Sequence, residues 1–178
     1  MRIIIYKRVA LFTLIFGFIS GILAVIFSNR EITDMYGSWI MSFYNCEEAE
    51  LWLKAVFSGP FFVFAAFALG LFVFGYLFVY PVVFYYSYTF GFLLTCAVFC
   101  FGKESFFPIL MKLPTFFSAC FFLCFEAALA VKFSSENFSG LEYKTLRVKT
   151  SQYLVQGLGY VIFCVLITVL EVFLCLKF

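Results

Sequence analysis

The side chains with the greatest chemical potential are two carboxylates set in otherwise apolar stretches, Glu126 within residues 114–133 and Glu171 within residues 153–176. A carboxylate near mid-bilayer costs about 2.5–3.5 kcal/mol to insert, so it must face protein or water. Two uses follow from that. The acid can lie in a pathway for protons or cations, or it can hydrogen-bond a neighbouring helix, and the second is the commoner use. The cysteines come next. Cys96 and Cys100, and again Cys120 and Cys124, stand one helical turn apart among seven Cys in all. Thiolates at that spacing suit a metal, but such sites usually recruit His as well, and this chain has none. Six of the seven Cys fall in apolar stretches, where Cys packs as a small hydrophobe. Neither a metal site nor a cofactor is expected. A third cluster, Glu47, Glu48 and Glu50, follows Cys46 and reads as the solvated face of a loop.

Other chemistries are excluded more directly. The sequence holds no HExxH, no GxSxG and no phosphate loop, and without His there is no imidazole acid-base catalysis. No catalytic residue is assigned, and the expectation is that the chain is not an enzyme. The net charge of +2 is not gathered on a basic face, so nucleic acid is not an expected partner.

The elements that must position these residues are dictated by hydropathy. Residues 55–101 run for 47 positions without a charge. A bilayer core needs roughly 20 apolar helical residues, so this stretch holds two spans, with Pro81 at their expected junction. It lacks the alternation of a barrel strand, and backbone amides in lipid must be bonded internally, so the spans are helical. Residues 9–27 form a first span after a short basic start; the apolar run is too long for a signal peptide's core. Residues 114–133 and 153–176 complete the set. Pro108 and Pro114 suggest that residues 102–113 are an interfacial or re-entrant piece rather than part of a straight helix. The fold class is all-α: one polytopic membrane domain of about five spans (9–27, 55–80, 82–101, 114–133 and 153–176), with membrane lipid around it.

Charge orients the spans. The loop 30–54 holds two basic against five acidic residues, whereas 132–152 holds four basic against two acidic. Cytoplasmic loops carry the excess of Lys and Arg, which places the N-terminus and residues 132–152 inside a multi-pass protein of the cell membrane. Trp39, Tyr44 and Trp52 suit the external interface, and the Asn137-Phe138-Ser139 sequon would be cytoplasmic. Glu126 then lies deeper than Glu171 by about 10–12 Å, so each needs its own partner.

Small residues at helical spacing mark packing faces: Gly17 and Gly21 in the first span, Ser87, Gly91 and Thr95 in the third, Cys120, Cys124 and Ala128 in the fourth. The Gly17/Gly21 face serves either an internal crossing or a homo-oligomer. The 30 Phe and 11 Tyr are read mainly as lipid-facing apolar surface.

The order of segments carries a resemblance. A basic first span is followed by a polar loop, a hairpin containing Phe90-Gly91-Phe92, a Leu113-Pro114 start to the fourth span, and a closing helix holding Glu171. This resembles the stage II sporulation protein M family of integral membrane proteins, in its Gly-Phe element, its Leu-Pro element and a Glu of the last helix. After Leu113-Pro114 many members continue with His or Gln, then Glu and a second Pro, where this chain has Thr115-Phe-Phe-Ser-Ala119. The resemblance implies a non-enzymatic membrane scaffold that recruits peptidoglycan hydrolases to the septal membrane during engulfment. The alternative it leaves open is a membrane subunit of a transporter or ABC-type permease, with Glu126 in the pathway.

Overall fold

The computed structural model describes residues 2–41, 59–72, 74–137 and 143–177. These form six α-helices: α1 (Arg2–Ile26), α2 (Arg30–Met41), α3 (Pro60–Gly70), α4 (Tyr76–Phe101), α5 (Phe106–Asn137) and α6 (Tyr143–Lys177). A 3-10 turn, Gly102–Ser105, joins α4 to α5, and no strand occurs among the described residues. The fold is all-α. Among the described residues, four segments are long and apolar enough to cross a membrane: Ile3–Ile26, Tyr76–Phe101, Lys112–Ser135 and Lys149–Leu174. Pro60–Gly70 is apolar but shorter.

Contacts fix the helix directions. Phe16 meets Phe84 and Phe18 meets Phe90, so α1 and α4 run parallel. Residues 27–75 must therefore return to the end where α1 began. α2 starts that return: Cys100 at the end of α4 bonds to Thr33 and Asp34, and Tyr36 packs edge-on against Phe92 further back. α3 continues in the same sense, with Gly59 against Thr115 and Ala119 and Gly70 against Ala130, so it lies parallel to α5. α6 runs antiparallel to α5, since Tyr153 stacks on Phe133 while Glu171 reaches Lys112.

The core is built from small residues at helical spacing. α1 turns Ala10, Leu14, Gly17, Gly21 and Val25 inwards, while Leu11, Phe12, Ile15, Phe16 and Ile19 stay exposed. α5 contributes Ala119, Leu123, Ala127 and Ala130. An aqueous surface of this kind would be unstable; surrounded by lipid it is the expected exterior of a membrane bundle.

The expected element boundaries shift in four places. The junction of the second and third spans is not Pro81, which lies inside α4, but the turn between Gly70 and Tyr76. Gly75 permits that turn, because a Cβ there would collide with the carbonyl of Leu69. The described part of the expected single span 55–80 thus holds a short helix and the opening of α4. Residues 106–113 are the first turns of α5 and not a separate re-entrant piece. Pro108 falls in the opening turn, where amides have no intrahelical partner anyway, and the helix carries on through Pro114. The basic start belongs to α1, and the loop from residue 30 opens with α2. Much of the expected loop 132–152 is helical extension of α5 and α6. Tyr44, Cys46, Glu47, Glu48, Glu50, Trp52 and Ser139 lie outside the described residues.

Candidate functional site

Hydroxyls in the apolar helices mostly bond within their own helix. Thr13 donates to Val9, Ser87 to Val83 and Phe84, Thr95 to Gly91 and Thr168 to Cys164, all to backbone carbonyls one turn back. Among the described residues, besides the link from Cys100 to α2, the polar groups seen to reach across helices gather at two levels of α5.

One level, near the start of α5, is centred on Glu171. The residue is 5% exposed, and its Oε1 lies 2.5 Å from Lys112 Nζ while Thr115 Oγ1 donates to Oε2. An ion pair this enclosed holds only when its remaining lone pairs are bonded, which Thr115 does here. Rings pack beside it on α5 and α4: Phe116 stacks on Phe90 with centroids 3.6 Å apart and on Tyr86 at 5.8 Å. Sequence reasoning set Glu171 down as needing a partner but did not find Lys112 or Thr115. The available signal was Lys112 itself, a cation just before an apolar run.

The other level is centred on Glu126, about 16 Å further along α5 at 1.5 Å per residue from Thr115. It is 0% exposed, and neither carboxyl oxygen has a hydrogen-bond partner among the described residues. α6 comes close because of Gly157, where a Cβ would sit 3.1 Å from Glu126 Oε1 and 2.7 Å from the Phe67 ring. The Tyr153 hydroxyl is within electrostatic reach of the acid, but its proton goes to the carbonyl of Phe67 at 2.7 Å. That bond and the one from Ser134 to the carbonyl of Phe72, which also accepts from the Gly75 amide, add side-chain donors to carbonyls at the end of α3. Tyr153 is held flat between Phe133 and Phe67, with centroids at 4.6 and 5.4 Å. Lys7 on α1 lies over the ring of Phe125, 3.7 Å from its centroid. The group on a neighbouring helix that approaches Glu126 is the Tyr153 hydroxyl of α6, which is engaged with Phe67.

The packing residues fall into two groups. Gly17 and Gly21 of α1 meet the Ser87 and Gly91 face of α4: a Cβ on Gly17 would strike Ser87 and Phe84, one on Gly21 would strike Tyr88 and Phe92, and one on Gly91 would strike Phe18. Thr95 is buried further along the same face. The two faces, read separately in the sequence, are one crossing. On α5, Ala128 is fully buried while Cys120 and Cys124 are half-buried free thiols. Cys96, Cys100 and Cys164 are also free, and no group of three metal-ligating side chains occurs among the described residues.

No protein-family model, curated protein or solved structure matches the chain.

Proposed function

We propose that this chain is a five-crossing cell-membrane scaffold without enzymatic activity, acting as the stage II sporulation protein M family does, by holding peptidoglycan hydrolases at the septal membrane. The second of those crossings runs between α1 and α4 and includes α3, because parallel α1 and α4 need a return between them. The N-terminus is cytoplasmic on the charge balance of the flanks.

One observation carries the reading. The three elements behind the family resemblance meet: Glu171 is bonded to Lys112 and Thr115, on either side of Leu113-Pro114, and Phe90 stacks on Phe116. In the proposed topology this cluster lies toward the outer face, the side on which wall hydrolases work. Its charges are spent on one another, so its role is to shape that end of the bundle.

The test is the localisation of fluorescently tagged wall hydrolases at the septum of the native host, with and without this protein. Loss of septal signal on deletion, restored by the wild type and by Glu126→Gln, is the expected result. Septal hydrolase unaffected by deletion would remove the scaffold reading. The transport reading is favoured by one fact, the unpartnered carboxyl of Glu126. It requires that Glu126→Gln reach normal membrane levels and yet fail to complement.

A further inference from the structure

The two intramembrane acids are held differently. Glu171 has a cation and a hydroxyl on its two oxygens, whereas Glu126 has no cation and the hydroxyl that approaches it, Tyr153, gives its proton to Phe67. An ionised carboxylate enclosed without donors is among the costliest arrangements a protein interior can hold. Some ligand must neutralise it.

The groups facing Glu126 narrow the choice. α6 supplies Tyr153, whose proton is already given to Phe67, and Tyr160 within electrostatic range. α3, reading Pro60–Gly70, has no titratable side chain. α1 supplies Lys7, which is placed over Phe125 and does not pair with the acid. On α4, Tyr80 lies within range of Tyr6 rather than of the acid. A hard metal cation wants about six oxygen ligands. Beyond the carboxyl itself, the oxygens seen interacting here among the described residues are the Tyr153 hydroxyl and the Phe67 carbonyl, fewer than that shell wants. A proton needs only one oxygen and no shell.

We propose that Glu126 is a proton-binding site, a carboxylic acid kept in its neutral form between α3 and α6 while Gly157 and Phe67 close over it. The bound proton makes the contact possible: an α6 that approaches closely at Gly157 can seat a neutral acid but not an unpaired anion. Losing the proton therefore requires that α6 move off the acid and admit water or a counter-ion. This makes the α3–α6 contact proton-dependent whether the protein is a scaffold or a transport subunit.

The experiment is infrared spectroscopy of the full chain in lipid bilayers, with and without carbon-13 glutamate. The expected result is a carbonyl band of an isolated carboxylic acid at pH 7, shifted by the isotope. It should vanish in Glu126→Gln and persist in Glu171→Gln. An ordinary Glu, titrating near 4.3, would be protonated about 500-fold less than fully at pH 7, so its band would be undetectable. Absence of the band in isotope-labelled wild type overturns the proposal, and that measurement does not depend on any variant folding. Retention of the band in Glu126→Gln would place the proton elsewhere. Its conversion to a carboxylate band by sodium at fixed pH would make the ligand a metal cation and overturn the proposal too.

Discussion

Gly21→Ala adds one methyl group where α1 crosses α4, and the structure fixes what that methyl meets. Its carbon would lie 2.8 Å from the amide nitrogen of Phe92, 3.1 Å from the carbonyl carbon of Tyr88, and closer still to the Tyr88 oxygen. These are backbone atoms and cannot swing aside. Ordinary contact begins near 3.4 Å, so the helices must part by at least about 0.6 Å. A gap of about 0.5–1 Å forfeits a quarter to a half of each contact's attraction. If the crossing holds roughly 50 heavy-atom contacts at about 0.15 kcal/mol each, the loss is about 2–4 kcal/mol, at the upper end of what overpacking costs. In lipid no hydrophobic gain offsets it, because the bilayer is as apolar as the helix. Gly159→Ala is the control, since a Cβ there meets nothing within 4 Å. Its effect should stay within about 0.5 kcal/mol. The assay is equilibrium unfolding in mixed micelles, with both variants beside the wild type. Equal stability of Gly21→Ala and Gly159→Ala would refute the reasoning, since only contact geometry separates them.

Other outcomes follow from the polar cluster around Glu171 and from the charge pattern. Lys112→Met should destabilise by about 3–5 kcal/mol, because Glu171 is left enclosed with Thr115 alone, and the double variant with Glu171→Leu should recover much of the loss; a double variant as unstable as Lys112→Met would mean the charge pair is not the cause. An impermeant thiol reagent should label Cys46 in intact cells and should not label a cysteine introduced by Ser139→Cys; the reverse pattern would invert the topology.

The amino-acid sequence by itself determined the all-helical membrane class, because 47 consecutive uncharged residues leave lipid-embedded helices as the only arrangement with every amide bonded. It also determined which faces are small, since Gly17, Gly21, Ser87 and Gly91 recur at helical spacing. It could not say that these faces meet each other, because periodicity describes one helix and pairing is a property of two. It misplaced the hairpin turn at Pro81: proline marks a missing amide, which α4 absorbs, whereas the turn lies where Tyr153 and Ser134 donate to the carbonyls of Phe67 and Phe72. Those donors are 62 and 86 residues away along the chain, beyond the reach of any local pattern. The two buried acids are the sharpest case. The sequence set them at different depths but made each an expensive charge in need of a partner. Only the antiparallel register of α5 and α6 decided that Glu171 meets Lys112 and Thr115 while Glu126 meets Gly157 and a ring. Insertion cost is set by residue type and depth, but the groups that repay it are brought there by tertiary packing.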